Sequence, residues 1–148
     1  MKSVILPTRP YQLFFEHRPD YLFAYVQSLE NSFEIARGYW VEILSMLHRR
    51  RYKRVLIEKN VAQRLAAHDV FELVSELAHS GHHEVAFAIC DYRYDPELSG
   101  FEERVGTNRG LNLRIGDNAA ELERWLLSQS RTVIPDHRHF PFVDALAA

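Results

Sequence analysis

The sequence predicts an α/β protein: an N-terminal β-hairpin followed by alternating α-β units on a mainly parallel sheet, with five strands and four main helices. Three observations carry this. Two aromatic-rich runs, at residues 11–16 and 21–28, are separated only by a turn segment containing Arg18-Pro19-Asp20. Apolar stretches of strand length, at 54–58, 84–91 and 111–115, then alternate with stretches of helical spacing. No repeat, low-complexity tract or Gly/Ser linker interrupts the 148 residues, and a single domain spans about 100–150 residues. The chain 1–148 therefore reads as one domain, with a core over about 11–127 and a tail, 128–148, that packs on the core or on a partner.

Each element has a local reason. The connection between the first two runs is too short for a parallel crossover, so they pair as a hairpin. Asn31 and Ser32 offer cap oxygens, and Glu34 completes a capping-box spacing. Ile35, Tyr39, Trp40, Ile43, Leu44 and Leu47 then mark a helix over 32–51, ending in the basic His48-Arg49-Arg50-Arg51. Arg54–Glu58 is a short buried strand. Asp69 with Glu72 predicts the next helix start, Phe71, Val74, Leu77 and Ala78 its buried side, and Gly81 its left-handed end. Glu84–Asp91 is apolar on both faces, as a central parallel strand is. Asp95 caps a helix with Pro96 in its first turn, running to about Asn108. After Gly110, Leu111–Ile115 forms the last strand, and Asp117 caps a helix with Leu122, Trp125 and Leu126 on one edge.

Composition narrows the function. Eighteen Lys and Arg against twenty Asp and Glu leave a net charge of −2, which argues against a generally basic nucleic-acid binder. The 47% apolar content excludes disorder for most of the chain. A single cysteine forms no internal disulfide and points to the cytoplasm. No apolar run approaches the roughly 20 residues of a membrane span, and residues 1–10 lack a signal-peptide core.

Four segments in combination carry a resemblance: Arg54-Val-Leu-Ile-Glu58, Phe87-Ala-Ile-Cys90, Phe101 through Gly110, and Ala120 through Leu126. Together they resemble the bacterial SpoIIAA-like (STAS/SEC14-type) family over roughly residues 11–127, most specifically at Asn108-Arg109-Gly110 and at Glu121 with Trp125-Leu126. The resemblance implies β-α turns wound in one direction and a non-catalytic regulatory or protein-interaction module. Relatives of the anti-anti-sigma type are switched by phosphorylation of a Ser after the third strand. Here Lys59–His68 contains no Ser or Thr, and Ser75 lies a turn inside the next helix, so that switch is not carried over.

Each candidate site also has an ordinary structural role. His79, His82 and His83, with His137 and His139 in the tail, could suggest a metal. Gly81 and the adjacent helix end explain the first three without one, so no metal is assigned. Cys90 lies in an apolar strand, where a thiol is inert. No phosphate-binding loop, nucleophile elbow or dinucleotide fingerprint occurs, so no catalytic residue and no cofactor is assigned. The basic run Arg49–Arg54 reads as helix-end decoration rather than as a nucleic-acid grip. Arg109 is expected to pair with Glu102 or Glu103, or to line a groove. The default crevice of an open α/β sheet lies at the carboxyl ends of its strands. Glu58, Lys59, Asn60, Asp91, Tyr92, Arg93 and Asp117 are expected there as a ligand-binding set, the alternative to an interaction module being a small polar-ligand binder or a hydrolytic enzyme.

One further expectation concerns the back of the sheet. Tyr21, Phe23 and Tyr25 alternate with Leu22, Ala24 and Val26, and Phe14 alternates with Leu13 and Phe15. Helices wound in one direction would cover one face and leave the other to water, which aromatic surface of this size does not tolerate. The expected cover is a second copy of the chain, with Phe14, Tyr21, Phe23, Tyr25, Phe140 and Phe142 in the interface. Another regulatory protein is a further candidate partner. A membrane is not.

Overall fold

The computed structural model describes residues 9–129. The element order is β1 (Gln12–His17), β2 (Leu22–Ser28), α1 (Phe33–Arg50), β3 (Arg54–Val61), α2 (Ala67–His79), β4 (Ala86–Asp91), α3 (Pro96–Asn108), β5 (Asn112–Gly116) and α4 (Ala119–Ser128). The strands form one mixed sheet in the order β1-β2-β3-β4-β5. β1 is antiparallel to β2, with Phe14 opposite Tyr25, and the remaining pairs are parallel. The α/β class with five strands and four helices is thus as the sequence predicts. No helix among the described residues is long and apolar enough to cross a membrane.

Several ends differ from the expectation. Ser32 caps α1 by accepting from the Ile35 amide, and Asp95 caps α3 by accepting from Glu97 and Leu98. Asp69 is not a cap: α2 begins two residues earlier, behind Ala66, which has no side-chain acceptor. Asn118 rather than Asp117 caps α4, accepting from Glu121. β3 runs three residues beyond Glu58, because β2 and β4 pair with it on both sides through Lys59. Gly81 and Gly110 have φ of 86° and 88°, conformations a side chain would strain.

The layering is where the expectation fails. α1, α2 and α3 pack on one face, burying Tyr39, Ile43, Val74, Leu77 and Val105 against Leu22, Val55, Ile57 and Phe87. α4 packs on the opposite face, where Leu122 and Leu126 meet Tyr21, Leu56, Ala86, Ala88 and Cys90. All four helices therefore do not share a side. The first three connect neighbouring parallel strands and so follow one crossover hand. α4 leads to no further strand, so handedness leaves it free to cover the apolar back of β3 and β4.

Arg54 fixes the end of α4. It is buried at the start of β3, and its Nη2 donates to the carbonyls of Leu127 at 3.4 Å and Gln129 at 2.5 Å. Replacing it by Met keeps the apolar stem and removes the donors. The expected result is a loss of about 1–2 kcal/mol in unfolding free energy, read as a lower urea midpoint at unchanged slope.

Candidate functional site

Strand order runs along the sheet without reversing, so there is no point where crossovers diverge to opposite faces. The cleft lies instead above one face, between α1, α2, α3 and the carboxyl ends of β3 and β4. Pleating decides what enters it. Lys59 shares a face with Val55 and Ile57, and its register partner on β4 is Asp91. Both side chains turn into the helix layer.

There Lys59 and Asp91 meet Tyr39 and Trp40 from α1, Arg64 from the β3–α2 loop, Arg93 from the β4–α3 loop and Glu102 from α3. Below these polar groups the walls are apolar. The cleft holds a volume of about 70 Å³, which at roughly 10–15 Å³ per water is space on the order of five waters.

Asp91 is buried, Lys59, Arg64 and Glu102 are half-buried, and the pairs are loose. Lys59 Nζ stands 3.8 Å from Asp91 Oδ2, and Arg64 Nη1 stands 3.9 Å from Glu102 Oε1. Asp91 is only 5% exposed, and its Oδ1 accepts from the Arg93 amide at 2.9 Å. Tyr39 is 1% exposed. Arg93 Nε donates to the Val61 carbonyl at 2.9 Å, and Arg64 Nη2 donates to the Arg93 carbonyl, so the two loops clasp one another beside the cleft. Asn31 Nδ2 ties the start of α1 to the same rim through the Gln63 carbonyl at 3.1 Å.

Burial sets the acid–base character. It pushes the Tyr39 phenol up, against the pull of Lys59. It would pull the Lys59 ammonium down, but Tyr39, Glu102 and Asp91 outweigh it and hold Lys59 above the usual lysine range. Glu102 is raised by burial and by Asp91, with Lys59 and Arg64 opposing. An acid raised in the folded state contributes stability below its unfolded range and loses it as pH rises through the folded one. Glu102→Gln is therefore expected to raise the urea midpoint at neutral pH, with the gain fading as pH falls through the raised Glu102 range and gone below the ordinary glutamate range. A gain independent of pH would show that charge is not its cause.

The expected ligand set is thus divided. Lys59, Asp91 and Arg93 come together in the cleft. Glu58, Asn60 and Tyr92 lie on the other face, where Tyr92 Oη donates to Glu58 at 2.8 Å and Asn60 Nδ2 to Tyr25 Oη at 3.0 Å. That contact, with burial, pushes the Tyr92 phenol up to about 12. Asp117 lines a separate hollow with Tyr94, Arg114 and Asn118. Tyr39, Arg64 and Glu102 join the cleft without having been singled out. Glu102 had a readable signal: Leu98, Phe101 and Val105 mark the inward stripe of α3, and Glu102 falls on its edge.

The remaining candidates resolve into structural contacts. Arg109 stacks 4.5 Å over the Phe71 ring, pairing with neither glutamate, while Glu103 accepts from the Ile115 amide. Burial pushes the Cys90 thiol up, and Cys90 lies in the α4 cluster. His79, His82 and His83 are bonded to the Ser75 carbonyl, the Ser80 hydroxyl and the Gly110 carbonyl. No metal-holding group of three or more His, Cys, Asp or Glu occurs among the described residues. The basic run is broken up, since Lys53 pairs with Glu84 at 3.0 Å and Arg54 is buried. Ser75 Oγ is buried with no partner among the described residues, out of reach of a phosphoryl donor.

On the back face, Tyr21 is 3% exposed beneath α4 and donates to Glu123 at 2.5 Å. Phe23 is partly buried beside that helix, with the Arg18 guanidinium 4.2 Å over its ring. Phe14 and Tyr25 stack at 6.2 Å, and Tyr92 meets Tyr25 edge-on. Phe140 and Phe142 lie outside the described residues. No protein-family model matches the chain, and no curated protein or solved structure matches it either.

Proposed function

We propose that the protein is a small-molecule binder whose ligand occupies the cleft at the carboxyl ends of β3 and β4. The observation that carries this is the grouping of Lys59, Asp91, Glu102 and Tyr39 around one cleft, with separations that leave hydrogen-bonding capacity open. Removing charges from water costs several kcal/mol per ion unless partners satisfy them. A core built only for stability places apolar side chains at such positions. Here four elements deliver ionisable groups instead, above walls that accept an apolar body. The test is mass spectrometry of the protein purified without denaturation, beside a Lys59→Met, Glu102→Leu variant. A small molecule released from the wild type alone supports the reading. Wild-type protein that carries none, and that no member of a metabolite library stabilises against heat, overturns it.

A second reading is self-association through the back of the hairpin. α4 removes Tyr21 from that surface, but the Phe14–Tyr25–Tyr92 ladder remains beyond it, with Tyr92 52% exposed. Sedimentation at the mass of a dimer that Tyr25→Lys converts to a monomer supports this. A monomeric wild type overturns it. A SpoIIAA-like relationship is a further proposal, supported by the hairpin-first order of elements and the four sequence segments. It would add a regulatory setting to either reading.

A further inference from the structure

We infer that the ligand of the cleft is a small monocarboxylic acid with a compact apolar body, its carboxylate held by Lys59, Arg64 and the Tyr39 hydroxyl and its body against Trp40, Leu73 and Phe101. This rests on the cleft being a ligand site and adds the charge and shape of what fills it.

Charge balance is the first support. Inside the cleft Lys59 and Arg64 stand against Asp91 and Glu102, while Arg93 lies exposed at the rim; with Glu102 protonated, one positive charge is in excess. Uncompensated charge is costly where water is scarce, and a monoanion closes the balance. A dianion such as phosphate would leave negative charge in excess beside Asp91 and Glu102, and an amine would add to the surplus cation.

Open donors are the second. Tyr39 is 1% exposed and lines the cleft, yet its hydroxyl meets its neighbours only through charge, with no hydrogen bond among the described residues. The Lys59 ammonium is no closer than 3.8 Å to its carboxylate partner. α2 begins behind Ala66, which offers no side-chain cap, and its first residue Ala67 lines the cleft.

Shape is the third. The walls below the rim come from α1, α2, α3 and the sheet and are apolar. Space on the order of five waters suits a short branched chain or one ring.

Binding is coupled to a proton. The groups facing Glu102 are Lys59 on β3, Asp91 on β4 and Arg64 in the following loop, with Tyr39 on α1 within the same charge network. An incoming carboxylate favours protonated Glu102, so binding takes up a proton and tightens as pH falls, until the ligand itself is protonated.

The test uses the full chain, with calorimetry and amide chemical shifts for benzoate, isovalerate, benzamide, benzylamine and inorganic phosphate. The expected result is that benzoate or isovalerate shifts cleft amides and that the other three bind at least about tenfold more weakly. Glu102→Gln is expected to tighten benzoate binding and remove its pH dependence, and Tyr39→Phe, which leaves the charges intact, to weaken it about fivefold. Benzamide, benzylamine or phosphate binding the same amides as tightly as benzoate overturns the ligand class and leaves the cleft as a binding site. No cleft shift with benzoate or isovalerate overturns the ligand class, and the cleft itself falls only if the metabolite library is also silent.

Discussion

Replacing Lys59 by Met is expected to lower the unfolding free energy by about 3 kcal/mol, because removing one member of a buried pair strands the other. Asp91 is the stranded group: it is 5% exposed and loses the only cation within salt-bridge distance of it among the described residues. Glu102, already raised by burial, loses one of its two opposing cations. The loss is a charge effect rather than a packing effect, since Met fills most of the lysine stem. It follows that neutralising the abandoned partners restores what was lost. The triple change Lys59→Met, Asp91→Asn, Glu102→Gln is expected to return to wild-type stability or exceed it, as apolar or neutral replacements of buried ion clusters often do. Urea unfolding followed by the fluorescence of Trp40, which lines the cleft, reads both variants. A single variant as stable as wild type would mean that water already screens the pair, and the case for a costly preformed site would go with it.

Leu126→Ala is expected to cost about 3 kcal/mol, within the range for truncating a fully buried leucine. Leu126 is 0% exposed and, with Leu122, seats α4 on Leu56, Ala88 and Cys90. The distribution of the effect is more informative than its size. α4 contributes to one apolar cluster and α1–α3 to the other, so α4 should open separately from the rest. Native-state hydrogen exchange is expected to show α4 amides exchanging through a partial opening made easier by the substitution, with Tyr39 and Phe87 amides still requiring global unfolding. Uniform loss of protection would show instead that both faces unfold as one unit.

These expectations also mark how far the sequence was legible. Alternating hydrophobic periods gave the order of elements because each strand and helix writes its own pattern locally. The side taken by α4 was not written there. Crossover handedness constrains a helix only when a parallel strand follows it, and Leu122, Trp125 and Leu126 form the same stripe whichever face they meet. A cleft does lie at the carboxyl ends of β3 and β4, but Glu58, Lys59 and Asn60 cannot share it, because successive residues of a strand point to opposite faces. Counting parity from Ile57 places Lys59 in the helix layer and its neighbours outside it. The apolar run of β3 ends at Ile57, so no hydrophobic pattern marks Glu58, Lys59 and Asn60 as part of the strand. Tyr39 was legible as core and not as a site, because its meeting with Lys59 joins residues from different elements that no local pattern links.

The position of α4 at the end of the described chain has a consequence for synthesis. Strands β2 to β5 each pair with the strand made just before them, so the sheet can assemble as it leaves the ribosome, with few distant contacts to await. Its back cannot be finished that way. Until Leu126 emerges, Tyr21, Leu56, Ala88 and Cys90 face the solvent on a nearly complete sheet, and the nascent chain is at its most adhesive in that interval. Stalled or prematurely terminated products should therefore be the species that aggregate.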